Sequence, residues 1–125
     1  MAWLMVANGA RRVVVTGLGA VTPLGNDAQT TWSELLAGQS GVGPITLFDA
    51  SGFMVGFACE AKDFEPTDWI EHKQVRRIDR FAQLIVAAAR QAEVDAGLDI
   101  AKERERVGAS VATAMGGLQA LGSAN

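Results

Sequence analysis

Few residues in this chain combine a reactive side chain with a spacing that chemistry could use, and the glycines come first. The run Arg11-Arg12-Val13-Val14-Val15-Thr16-Gly17-Leu18-Gly19-Ala20-Val21-Thr22-Pro23-Leu24-Gly25-Asn26 passes from β-branched residues into a glycine-rich turn. Such a turn can cradle a phosphate, but the spacing excludes that here. A dinucleotide fingerprint needs a glycine three residues after Gly19, where Thr22 stands, and no phosphate-loop lysine follows Gly25. Cys59 is the one cysteine and His72 the one histidine. A lone cysteine excludes an internal disulfide and fits a reducing compartment, so the cytoplasm is the expected location. In Phe57-Ala58-Cys59-Glu60 the thiol is expected to be structural and half-buried. His72, between Glu71 and Lys73, reads as a solvated helix residue. No group of His, Cys, Asp and Glu has metal-ligand spacing, so no metal site is assigned.

One charged cluster does suggest a role. Lys73, Arg76, Arg77 and Arg80 would share a face of a continuous helix, gathering positive charge in a chain whose net charge is -3. A basic patch of this kind steers an acidic partner. The alternative is a solvated face paired with Glu71 and Asp79.

These side chains need elements to hold them. At 49% hydrophobic and 20% charged, the 125 residues suit one soluble globular domain and exclude a disordered chain. The acidic balance gives no footprint for nucleic acid, and no apolar run approaches the roughly 20 residues of a membrane span. Met1 to Ala7 is apolar with its charges after it, unlike a secretory signal, and residues 1–10 read as an extension or disordered tail. Val13, Val14 and Val15 predict a strand covered on both faces. Asn26 or Asp27 caps a following helix whose buried stripe is Trp32, Leu35 and Leu36, with Gly38 ending it. Ile45 to Phe48 and Phe53 to Cys59 predict two extended pieces, paired as a surface hairpin. Thr67-Asp68 starts a short helix. From Val75 or Arg76 to Ala96, Ile78, Phe81, Ala82, Ile85, Ala88, Ala89 and Ala92 recur at spacings of three and four. Residues 83–89 carry no charge, which predicts a helix buried on more than one side and stopped by Gly97. Lys102 to Arg106 is a solvated connector. Val107 to Met115 predicts a second central strand, small residues on one face, leaving through Gly116-Gly117.

Several of these pieces together resemble the amino-terminal part of the β-ketoacyl-acyl-carrier-protein synthases, the condensing enzymes of fatty-acid and polyketide synthesis. The matching text is RRVVVTGLGAVTPLGN, then TTWSELLAGQSGVGPITLFDAS, KDF, RRIDRFAQ and GASVATAMGGL, in the family's order from about Arg11 onward. The resemblance implies an α/β chain, the amino-terminal part of a thiolase-like layered fold with a central mixed sheet and flanking helices. It also implies that residues 11–125 are a partial synthase domain, the first portion of a larger protein, closer to synthase II.

The reaction so implied is decarboxylative condensation of an enzyme-held acyl thioester with malonyl-acyl-carrier protein, without metal or nucleotide cofactor. It requires a nucleophilic cysteine and two histidines. Neither Cys59 nor His72 matches the family's motifs for them, so no catalytic residue is assigned and the chain is expected to be inactive alone. The resemblance places Lys73, Arg76 and Arg77 at the dock for acyl carrier protein. It places Met115 on the wall of the acyl pocket near a subunit interface, where a flexible thioether suits chains of varied length; core packing is the other reading. A homodimer of the complete enzyme is implied. A non-catalytic, chain-length-determining partner subunit of a polyketide synthase is the rival function, and a self-sufficient interaction module a third. Both central strands carry the expectation: if Val13–Val15 and Val107–Met115 lay in separate sheets, or wet on both sides, the condensing-enzyme assignment would have to be abandoned.

Overall fold

A computed structural model describes residues 12–117. The expectations for residues 1–10 and for Leu118 lie outside them. In order, the elements are helix α1 (Ala28–Leu36), strand β1 (Gly43–Pro44), strand β2 (Phe57–Ala58), a 3-10 turn (Pro66–Asp68) and helices α2 (His72–Val75), α3 (Arg80–Ala96) and α4 (Ile100–Glu103).

Helix α1 begins where the sequence expects. Asp27 is its N-cap, and one carboxylate oxygen accepts the Thr30 backbone N–H at 2.7 Å while the other accepts the Thr30 hydroxyl at 2.7 Å. Its end follows at Ala37, with Gly38 at φ 70°. The expected buried stripe is not there: Trp32, Leu35 and Leu36 are all exposed, Trp32 at 62%. The helix is anchored through its first turns, where the Thr31 and Thr22 hydroxyls lie 2.9 Å apart, and no described element covers its apolar face.

The hairpin is real but shorter than expected and shifted. Gly43 pairs with Ala58 and Pro44 with Phe57, antiparallel, and the Ile45 N–H donates to the Gly56 carbonyl at 3.1 Å. Glu60 fastens it from the side, accepting the Thr46 N–H at 3.0 Å and the Thr46 hydroxyl at 2.7 Å. Cys59, expected to be half-buried, is exposed, because nothing among the described residues covers this outer edge of the pair.

The single long helix expected from Val75 or Arg76 is broken into α2 and α3. Arg76 caps α2, the Arg77 N–H donates to the Gln74 carbonyl at 2.8 Å, and α3 starts only at Arg80. Gly97, at φ 62°, ends α3 as expected, its N–H shared between the Glu93 and Val94 carbonyls. Burial of α3 on more than one side does not hold. Only Gln83 and Ala87 along it are buried. With Phe64 and Ile70 they form the small core, where the start of α3 meets the 3-10 turn.

Neither central strand is present in the described residues. Val13 is 89% and Val15 79% exposed, and Val107 to Met115 is exposed throughout. A strand exists only by pairing its backbone with a neighbour, and among the described residues the one sheet is the β1–β2 pair. The segment after Val15 instead finds its partners on α3.

Candidate functional site

Residues 17–20 lie along α3 at backbone contact. A methyl group added to Gly17 would run into the Ala92 carbonyl and lie 2.6 Å from the Ala96 amide nitrogen. At Gly19 it would run into the Ala88 carbonyl and lie 2.8 Å from the Ala92 nitrogen. Ala88, Ala92 and Ala96, four residues apart, form a shallow stripe that admits the glycine segment. The glycines are thus explained by close approach.

Two polar residues, also four apart, flank the stripe. The Asp95 carboxylate accepts the Leu18 N–H at 2.8 Å, and the Gln91 side-chain carbonyl accepts the Ala20 N–H at 3.1 Å. The Gln91 amide donates onward to the Asn26 carbonyl at 2.7 Å. The Asn26 side-chain amide in turn donates to the carbonyls of Lys62 and Asp63 at 3.0 and 3.1 Å. The sequence reading assigned no role to Gln91 or Asp95. Their signal was available, as polar residues one helical turn apart beside an alanine stripe.

Beside this junction opens a groove of about 620 Å³ lined by Leu18, Trp32, Trp69 and Val94, with Asp27, Gln91 and Asp95 at its polar margin. Those three polar groups are already engaged, Asp27 as a cap and the other two on the glycine segment. Hydrogen bonding from the Thr30 N–H, then its hydroxyl, holds Asp27 below the ordinary carboxylate range. The groove therefore offers apolar surface and no free acid–base pair.

The basic residues are distributed differently from the expectation of one helical face. Lys73 lies on α2, while Arg76 and Arg77 lie in the turn that follows, all three exposed. Arg80 turns away from them: its guanidinium stacks 4.7 Å from the Phe64 ring centroid and donates to the Ala61 carbonyl at 3.4 Å. Among the described residues no ion pair joins Lys73, Arg76 or Arg77 to Glu71 or Asp79; the ion pairs are Arg90–Glu93, Lys102–Asp99 and Arg106–Glu103. His72 is exposed at the start of α2 and is not brought to Cys59 by any described contact. Met115 is 71% exposed and does not line the groove. Among the described residues no three metal-ligating side chains cluster, and no helix is long and apolar enough to cross a membrane.

Comparison with known proteins defines the class. The family described as "Beta-ketoacyl synthase, N-terminal domain" matches residues 10–125, and the chain belongs to that family. It is similar to 3-oxoacyl-[acyl-carrier-protein] synthase 2 of Coxiella burnetii, 48% identical over 109 residues that make up 86% of this chain and 26% of that protein. The protein of the same name from Synechocystis is 46% identical over 112 residues, 89% of this chain and 27% of its own length. Among solved structures, the ishigamide ketosynthase/chain length factor matches with a TM-score of 0.68 at 46% identity, over 73% of this chain and 23% of that one. The chain thus spans about a quarter of the length of the curated relatives it matches. Membership stands although Val13–Val15 and Val107–Met115 are wet, so exposure of these segments is not the test of family that the sequence reading made it.

Proposed function

We propose that the protein carrying this chain is a 3-oxoacyl-acyl-carrier-protein synthase. It would join an enzyme-held acyl thioester to malonyl-acyl-carrier protein with loss of carbon dioxide, extending the acyl group by two carbons. The observation that carries this reading is the 48% identity to a synthase 2 over most of the described chain. In this reading Lys73, Arg76 and Arg77 draw in the acidic carrier protein, and their exposure, with no ion-pair partner among the described residues, supports that role. Met115 lines the acyl pocket once its segment is covered, and the apolar Val13–Val15 and Val107–Met115 enter a layered central sheet. Residues 11–125 belong to one synthase domain, which acts as a homodimer in the cytoplasm. The acyl-holding thiol is a residue other than Cys59, which sits on the outer edge of a surface hairpin.

The solved ketosynthase/chain length factor supports a second reading, in which the protein is the non-catalytic partner that sets chain length. One assay separates the two. The uninterrupted protein, given acyl- and malonyl-acyl-carrier protein, yields the 3-oxoacyl product and carbon dioxide under the first reading. Product only after adding a separate condensing subunit favours the second, and neither product nor stimulation overturns both.

A further inference from the structure

Among the described residues Gln83 is the one buried polar side chain, and both hydrogens of its amide are used. One goes to the Val75 carbonyl at 3.0 Å and the other to the Ile78 carbonyl at 3.1 Å. Those two carbonyls bracket Arg76 and Arg77. The Gln83 backbone N–H makes the first bond of α3 itself, to the carbonyl of the N-cap Asp79 at 3.0 Å, so the side chain alone holds the turn against α3, at two points. A solvated basic loop needs no such fastening. Water would satisfy both carbonyls, and a buried amide with no partners is costly. The arrangement makes sense where the position of the two arginines matters as well as their charge.

We propose that Gln83 is a positioning residue for carrier-protein docking, holding the Arg76–Arg77 turn in the attitude that meets an acidic partner. The proposal rests on the docking role given to Lys73, Arg76 and Arg77 above. The test is a double-mutant cycle in the uninterrupted protein at low salt, with acyl carrier protein as the titrant. Gln83→Met keeps the shape and removes the donors, and should weaken carrier affinity by about fivefold, because the freed turn must then be ordered at each docking event. Condensation from a malonyl group on a small thioester, which needs no carrier dock, should be unchanged. In an Arg76→Ala/Arg77→Ala background Gln83→Met should have no further effect on affinity.

An equal loss in both backgrounds, or a matching loss with the small thioester, overturns the positioning role. If Arg76→Ala/Arg77→Ala itself leaves affinity unchanged, the docking reading falls and this inference with it. If only Gln83→Met is silent, the docking reading survives alone. Should Gln83→Met fail to fold, Gln83→Asn withdraws the amide by one carbon while keeping it polar, and the same cycle applies.

Discussion

Leu18 and Asp95, 77 positions apart in sequence, are joined by a 2.8 Å hydrogen bond from amide to carboxylate. This bond, with its neighbour between Ala20 and Gln91, fixes the glycine segment on α3 at a separation that only residues without a side chain allow.

Gly19→Ala should therefore destabilise the protein by about 2 kcal/mol or more, because the added methyl meets backbone, which cannot swing aside. Gly52→Ala, where nothing lies within 4 Å, is the control and should stay within about 0.5 kcal/mol. Denaturant unfolding measures both; equal midpoints would show that the segment is not seated on α3.

Asp95→Ala removes the acceptor for Leu18 and should cost about 1 kcal/mol, whereas Asp95→Asn keeps an oxygen there and should cost less. Amide hydrogen exchange at Leu18 gives the local readout, with faster exchange in Asp95→Ala and near-native exchange in Asp95→Asn.

The Asp27 cap predicts an acid limb. Its folded-state pKa lies below the ordinary value, so the contribution is fully present above that value and is lost as pH falls through the depressed one. Glu60, held low by the Thr46 hydroxyl and then its N–H, acts in the same direction. Melting temperature should fall on acidification below the ordinary carboxylate range. Asp27→Ala should cost about 1 kcal/mol at neutral pH and flatten that limb. A limb unchanged in Asp27→Ala would exclude the cap as its source.

Reversing Lys73, Arg76 and Arg77 to Glu in the uninterrupted protein should weaken carrier binding by about tenfold or more at low salt, with the difference shrinking as salt rises. Titration calorimetry at two ionic strengths measures this, and unchanged low-salt affinity would refute the dock.

Met115→Trp should shorten the acyl chains accepted and Met115→Ala should lengthen them, read from the product distribution of the uninterrupted protein. An unaltered distribution would remove Met115 from the acyl pocket.

Local signals in the sequence carried furthest where a few neighbouring residues decide the outcome. Asp27 before α1, Gly38 after it and Gly97 after α3 are caps, and each was readable because its bonds reach only three or four residues. The family was readable because several short motifs coincide. What failed depended on distant partners. Helical periodicity runs unbroken through Arg76 and Arg77, yet Gln83 takes the Val75 and Ile78 carbonyls and the helix breaks there. Apolar runs at Val13–Val15 and Val107–Met115 announce a need for cover but say nothing of where it comes from. Arg80 shares a spacing with Lys73, Arg76 and Arg77, but the Phe64 ring claims it, and no spacing rule encodes a ring 16 residues upstream.

Asn26 binds the two ends of one excursion of the chain. Its side chain holds the carbonyls of Lys62 and Asp63, while its own carbonyl is held by Gln91. Everything from α1 through the hairpin leaves and returns at that single knot. Residues can be added to or taken from such a lobe at small entropic cost, since its gate stays shut whatever the perimeter. Variation in length among kindred chains should accordingly collect between Asp27 and Ala61, leaving the register of the glycine segment on α3 undisturbed.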